Sequence, residues 1–233
     1  MGRGSGGTSS PGFVSAALAF VFALACGGAI HASGFAPVPA RALPLHIEGP
    51  PPGHTGGFGE PTCQTCHAEF ELNMSGTLSV EGLPAAYEPG ATYMVTVVLV
   101  SGDMASAGFQ GAFRFAAGTD AGSSAGEVRP VDGRVAARPD SAAAVAYVQH
   151  TAEGTRPATE EETRWTFEWT APSGASFAEA VAFHAAANSA NGDSSPLGDL
   201  IYTLSVTLPA AEYSGVARHD ERGLTLERRV PRP

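Results

Sequence analysis

The chain has 233 residues, of which 43% are hydrophobic and 15% are charged. That is enough for one domain of roughly 150–200 residues with its own core. The formal net charge of −10 at pH 7 argues against a nucleic-acid partner, because phosphate backbones bind basic surfaces. The 29 glycines and 18 prolines predict a chain with many turns.

The N-terminus has the pattern of an export signal. Arg3 supplies a positive charge, and residues 13–25 (FVSAALAFVFALA) form an apolar stretch that is too short for a comfortable membrane span. Cleavage after Ala32 would define residues 1–32 as a signal peptide. Alternatively, the segment before Cys26 resembles a bacterial lipobox, in which Cys26 would carry a lipid anchor. Both endings predict an exported protein, periplasmic or at the cell surface, with no transmembrane span in the mature chain.

A C-x-x-C-H motif follows a Pro/Ala-rich stretch, residues 33–52, that is typical of a linker. Cys63 and Cys66 have the spacing at which two thiols add to the two vinyl groups of a haem, and His67 then supplies the proximal ligand to iron. The preceding residues are rich in Gly and Pro and predict an irregular loop. The motif therefore predicts a covalently bound haem c.

The same cysteines allow other interpretations. A disulfide, a redox dithiol and half of a zinc site all use C-x-x-C. A four-cysteine zinc site is excluded because the chain has only three cysteines and Cys26 lies in the targeting segment. A thioredoxin-like dithiol expects a βαβ context that is absent from the sequence pattern. A disulfide remains open, but it leaves His67 without a role.

From Ser75 onwards the sequence predicts short strands separated by turns. Trp165, Phe167 and Trp169 alternate with polar residues and predict one buried face. No amphipathic helix is evident, so seven or eight strands point to an antiparallel β-sandwich within residues 53–210. The charged tail, residues 211–233, is predicted to be disordered. The predicted strands are Thr77–Glu81, Ala91–Ser101, Phe109–Ala116, Gly126–Val131, Ala143–His150, Thr163–Thr170, Glu179–Ala187 and Leu200–Leu208.

Several separated stretches resemble one family, the bacterial choice-of-anchor V domain, which is related to the Reeler domain at the N-terminus of reelin. They are GHTGGFGEPTCQTCH, a Tyr-x-Pro-Gly turn before a long apolar strand, GFQ, YVQHT, WTFEWTAP and ANSANGD…GDLIYT. The resemblance covers about residues 49–209. It implies an exported, Ig-like, Reeler-like β-sandwich at the cell surface or in the periplasm, and it implies no particular activity.

A haem on His67 would have a sixth iron position, for which His150 is the first candidate because it ends a strand within YVQHT. The alternative is a histidine hydrogen-bonded at a strand end. His54, in the glycine-rich loop, and His184, on a face of small residues, are weaker candidates. The thioethers of Met94 and Met104 could also bind iron, but the pattern places Met94 in the core and Met104 in a loop.

An oxygen-rich loop lies between the last two predicted strands. Its Asn and Asp side chains could bind calcium, but they are also ordinary turn residues and their spacing does not fit an EF-hand, so the turn interpretation is favoured. The loop contains Asn188, Asn191, Asp193 and Asp199.

Two functions of different classes follow from the sequence. The first is an exported monohaem c-type protein that acts in electron transfer, with a redox partner, or in haem-based sensing. The second is a non-enzymatic surface module, in which Cys63 and Cys66 form a disulfide and the loops bind another surface protein. The sequence contains no G-x-S-x-G elbow or other catalytic constellation, so neither function is that of an enzyme.

Overall fold

A computed structural model describes residues 46–174 and 179–211, together with the backbone of two strands at 216–220 and 223–227. The predicted signal peptide and the lipobox at Cys26 lie outside the described residues. Within these residues, no helix has the length and apolar character needed to cross a membrane.

The described residues form two antiparallel sheets, which confirms the predicted all-β sandwich. The four-stranded sheet has the order β1-β2-β7-β4, and the five-stranded sheet has the order β5-β6-β3-β8-β9. A separate hairpin pairs β10 with β11 within the tail that was predicted to be disordered. The strands are β1 Gly76–Glu81, β2 Thr92–Ser101, β3 Ser106–Phe115, β4 Glu127–Pro130, β5 Val135–Asp140, β6 Val145–His150, β7 Glu162–Thr170, β8 Val181–Ala190, β9 Leu200–Leu208, β10 Val216–Asp220 and β11 Gly223–Glu227.

Aromatic side chains fill the space between the two sheets. Trp165, Phe167 and Trp169 of β7 are fully buried, as their alternation predicts. Two phenylalanines of β3 stack on the tryptophans, with ring centroids 4.6 Å apart for Phe109–Trp165 and 4.2 Å apart for Phe113–Trp169. Stacked rings at these distances add to the stabilisation that burial of their apolar area provides.

The sequence missed one strand and misplaced one methionine. The strand β5 was missed, because Arg138-Pro139-Asp140 reads as a turn although it pairs with β6. Met94, predicted to be in the core, is 51% exposed on the outer face of the four-stranded sheet. Met104 lies in a loop, as predicted, but it is only 1% exposed because the loop folds into the core.

The segment predicted to be a linker does not extend to Pro52. Residues 46–52 run along the five-stranded sheet, where the Glu48 carbonyl accepts a hydrogen bond of 3.0 Å from Nε2 of Gln149. The Pro51 carbonyl accepts a second bond, of 3.1 Å, from Nε2 of Gln110. The sandwich domain therefore begins upstream of the predicted boundary at residue 53.

Candidate functional site

The C-x-x-C-H motif begins with a single turn of 3₁₀ helix, Cys63–Thr65, and Cys66 is its C-cap. The Thr62 side chain caps it by accepting a hydrogen bond of 3.2 Å from the backbone N–H of Gln64. The Cys63 carbonyl accepts from the backbone N–H groups of both Cys66 (3.2 Å) and His67 (3.1 Å). Residues three apart lie on the same side of a 3₁₀ turn, so the turn places Cys66 on the side of Cys63, and His67 follows directly after it.

The two cysteines are partly exposed, and their thiols are free in the structure. Burial raises the pKa of Cys63 to about 12, and the neighbouring Cys66 contributes to the shift. The Cys63 thiol is therefore protonated at neutral pH and is a poor nucleophile by itself.

The imidazole of His67 contacts a buried carboxylate. Its Nδ1 lies 2.6 Å from Oδ2 of Asp199, and the side chains are 27% and 1% exposed respectively. The amide nitrogen of Asn188 lies 3.5 Å from Nδ1 and 3.4 Å from Nε2. An amide nitrogen at nearly equal distances from both ring nitrogens does not lie along the lone pair of either. The Asn188 contact is therefore not a hydrogen bond that occupies Nε2.

The loop before the motif packs on the outer face of the five-stranded sheet through Glu60. One carboxylate oxygen, Oε1, accepts from Arg114 Nη1 at 2.5 Å and from the Tyr147 hydroxyl at 2.6 Å. The other, Oε2, accepts from the Thr55 hydroxyl at 2.6 Å. The Arg114 and Glu60 side chains are only 10% and 14% exposed. This ion pair therefore ties the loop to β3 and β6 in a largely water-excluded place.

A second contact of the loop requires a glycine. A Cβ on Gly57 would lie 2.4 Å from Cγ of His184, so no other residue fits there without movement. The next residue, Phe58, also packs on His184: its ring meets the imidazole edge-on, with centroids 5.4 Å apart. The Arg114 guanidinium lies 4.5 Å from the centroid of the Phe58 ring. Burial, with a smaller contribution from Arg114, lowers the pKa of His184.

The structure therefore places His184, a weaker candidate for the sixth ligand, beneath the loop. Its Nδ1 is buried without a hydrogen-bond partner among the described residues. His54, the other weaker candidate, has its Nδ1 3.0 Å from the Pro51 carbonyl, and its backbone N–H donates to Gln110 at 2.8 Å. Both histidines help to position the loop, and their role as iron ligands stays a prediction.

His150, the first candidate for the sixth ligand, has both ring nitrogens in hydrogen bonds to backbone. Its Nδ1 lies 3.0 Å from the N–H of Phe109, and its Nε2 lies 3.0 Å from the carbonyl of His46. One neutral tautomer satisfies both bonds, and burial lowers the pKa of His150 in agreement with a neutral ring. A Cβ on Gly108 would lie 2.6 Å from the ring. Binding iron would therefore require His150 to break a bond that the fold provides.

Apolar side chains are exposed on the loops around His67. Phe70 is 38% exposed, Leu72 37% and Leu197 57%. The loops that carry them touch, because the backbone N–H of Gly198 donates to the Glu69 carboxylate. Nonpolar groups left in water next to a potential cofactor site could contact the apolar faces of a macrocycle.

The oxygen-rich loop has the hydrogen bonds of ordinary turns. The Asn191 Oδ1 accepts from the N–H of Asp193 at 3.0 Å, and the Asp193 Oδ1 accepts from the N–H of Ser195 at 2.7 Å. The described residues contain no group of three His, Cys, Asp or Glu side chains that could hold a metal ion. These bonds agree with the turn interpretation of this loop.

The structure brings Asp199 into contact with His67, and the use of Cys63, Cys66 and His67 as a haem site stays a prediction. The residues His67 and Asp199 are 132 positions apart. Asp199 was noticed as a possible calcium ligand, and no local signal connects it with the histidine. The partners of Glu60 were missed for the same reason, since Arg114 and Tyr147 lie 54 and 87 positions away.

Solved structures similar to this chain include reeler domains and a cohesin module. The Reelin-N domain of F-spondin matches 64% of this chain and 96% of its own at 21% identity, with a TM-score of 0.43. The human F-spondin reeler domain matches 61% of this chain and 94% of its own length at 22% identity, with a TM-score of 0.41. A cohesin module from a Clostridium perfringens family 33 glycoside hydrolase matches 58% of this chain and 96% of its own length at 8% identity, with a TM-score of 0.39.

No family model and no curated protein matches the chain. Likeness of the degree found for the solved structures concerns architecture and brings no function with it. The evidence for a function therefore lies in the residues of the candidate site.

Proposed function

We propose that this protein is an exported monohaem c-type protein of the choice-of-anchor V family, in which Cys63 and Cys66 hold the haem and His67 binds its iron. The observation that carries the proposal is the orientation of His67. Its Nδ1 is directed at the buried Asp199, which leaves Nε2 as the nitrogen that can bind a metal. A disulfide between the cysteines would give neither His67 nor this contact a function.

The residues around the motif fit such a group. Cys63 begins the turn, Cys66 caps it and His67 follows directly, and the exposed Phe70, Leu72 and Leu197 on neighbouring loops offer apolar surface. The hydrogen bonds of Glu60 hold the preceding loop on the sheet, so the turn has a rigid support. When bound, the haem would supply one-electron chemistry or a site for a small ligand.

The role of the haem depends on its sixth position. Because both ring nitrogens of His150 are hydrogen-bonded, we expect this residue to stabilise the fold and not to bind the haem iron. The absorption spectrum of the ferrous His150→Ala variant should then match that of the unmodified protein. A changed spectrum would assign His150 to the iron and favour electron transfer by a six-coordinate centre over ligand sensing.

The test of covalent attachment is a haem stain on a denaturing gel. The full chain is expressed in a bacterium that has c-type maturation machinery, and its exported form should stain. The double variant Cys63→Ser/Cys66→Ser should lose the stain, whereas Cys26→Ser, which removes the third cysteine, should keep it. An unstained wild-type chain whose mass is lower by one pair of hydrogens would contradict the proposal. It would indicate a Cys63–Cys66 disulfide and a surface binding module instead.

A further inference from the structure

We propose that Asp199 is a positioning residue for His67: it holds the imidazole in the tautomer that directs the Nε2 lone pair outward, and it lowers the midpoint potential of the bound iron. This inference rests on the proposed haem function, but its first part can be tested without haem. A simple structural role, in which the contact only stabilises the loop, would predict no effect on the midpoint potential.

The identity of the donor follows from the chemistry of the pair. An ionised carboxylate only accepts hydrogen bonds, so the 2.6 Å contact requires that Nδ1 of His67 carry a proton. In a neutral imidazole the proton on Nδ1 leaves a lone pair on Nε2. Asp199 thus selects the nitrogen that can bind a metal.

The hydrogen bonds and burial of Asp199 hold its carboxylate in the orientation that faces His67. Its Oδ1 accepts a hydrogen bond of 3.0 Å from the backbone N–H of Asn191, and its Oδ2 faces His67, so both oxygens have assigned partners. The side chain is only 1% exposed, and no arginine is among its hydrogen-bond or ion-pair partners in the described residues. Burying a carboxylate is costly unless it is hydrogen-bonded, so the fold favours keeping the His67 ring in contact with Asp199.

Asn188 completes the support of the ring from the sheet. It lies on the outer face of β8, and its amide nitrogen sits at nearly equal distances from both nitrogens of His67. The Oδ1 of Asn188 is buried and has no hydrogen-bond partner among the described residues. The ring therefore has a fixed neighbour on β8 as well as an acceptor in the β8–β9 loop.

A carboxylate acceptor also changes the ligand that the imidazole presents. The hydrogen bond makes the ring more basic, and a more electron-rich ligand stabilises ferric over ferrous iron. The negative charge acts in the same direction, because it favours the more positive oxidation state. Removing the charge should therefore raise the midpoint potential.

The Asp199→Asn variant separates the two roles of this side chain. Its amide oxygen can still accept from the N–H of Asn191, so the loop keeps its bond. Its amide nitrogen then faces Nδ1 of His67 as a donor, and a donor requires an unprotonated Nδ1. The proton should move to Nε2. Asp193→Asn is the matched control, because Asp193 is exposed in the same loop and the change of charge is equal.

The first measurement is ¹⁵N NMR of the haem-free chain at one pH at which His67 is neutral. We expect the Nδ1–H tautomer of His67 in the unmodified chain and in Asp193→Asn, and the Nε2–H tautomer in Asp199→Asn. The same tautomer in all three proteins would overturn the assignment of Asp199. This result does not depend on whether haem binds.

The second measurement is the midpoint potential of the haem-loaded proteins. The potential of Asp199→Asn should be higher than that of the unmodified protein, with the haem stain retained, and that of Asp193→Asn should be unchanged. Equal potentials for the two variants would refute the effect on iron. A wild-type chain that takes up no haem would instead refute the proposed function, and the NMR result would still decide the role of Asp199.

Discussion

Replacing Glu60 by glutamine should release the loop that supports the C-x-x-C-H turn. The carboxylate accepts hydrogen bonds from Arg114 at 2.5 Å, Tyr147 at 2.6 Å and Thr55 at 2.6 Å. A glutamine has one acceptor oxygen, so its amide nitrogen must face at least one of these donors. It also leaves the Arg114 guanidinium, whose side chain is 10% exposed, without a counter-charge.

The magnitude follows from this burial. Breaking a buried ion pair by removing one partner costs about 3–5 kcal/mol. Water can reach Arg114 if the loop lifts from the sheet, so we expect the lower end, about 3 kcal/mol. With a urea m-value of about 2 kcal/mol/M, the unfolding midpoint of the haem-free chain should fall by about 1.5 M.

The surface pair of Arg164 and Glu81 provides the control. Their side chains are 45% and 57% exposed, and Glu81→Gln should change the unfolding free energy by less than about 1 kcal/mol. If Glu60→Gln destabilised the protein no more than Glu81→Gln, the Glu60 network would not hold the loop, and our account of how the turn is supported would be wrong.

Two further predictions concern histidines. Burial lowers the pKa of His150 below 6.5, so the unfolded chain binds the proton more readily than the folded chain. The contribution of neutral His150 to the unfolding free energy should be fully present above pH 6.5 and should fall as the pH drops below it, by up to about 1.4 kcal/mol per pH unit. In urea titrations, His150→Gln should flatten this pH dependence. Gly57→Ala should lower the unfolding free energy, measured by thermal or urea unfolding, by about 1–3 kcal/mol, because its Cβ would lie 2.4 Å from His184. Gly102 has open space around it, so Gly102→Ala should leave the unfolding free energy nearly unchanged. Equal effects of the two variants would contradict the close packing of Gly57 against His184.

The all-β fold and its core could be predicted because they depend on local periodicity. The alternation of Trp165, Phe167 and Trp169 with polar residues defines the buried face of β7 whatever strands lie beside it. The alternation of Val181, Phe183 and Ala185 with Ala182 and His184 likewise separates two faces of β8. The pattern failed at Arg138-Pro139-Asp140, because an edge strand tolerates residues that are typical of turns.

The partners of the motif could not be predicted, because they arise from pairing between distant strands. His184 was a weaker candidate ligand because it lies on a face of small residues, and the structure covers it with Gly57 and Phe58 of the protein's own loop. Similarly, His150 has the sequence context of a ligand, but its neighbours Phe109 and His46 occupy both of its nitrogens.

The sequence by itself determined the chemistry that the turn can offer, since the spacing of Cys63, Cys66 and His67 is a property of a few consecutive residues. Only the tertiary structure decided which nitrogen of His67 contacts a carboxylate. That choice depends on Asp199, which the antiparallel pairing of β8 with β9 and the loop between them bring to within 2.6 Å of the ring. A contact across 132 positions leaves no periodic trace in the chain, because it is specified by the packing of the whole domain.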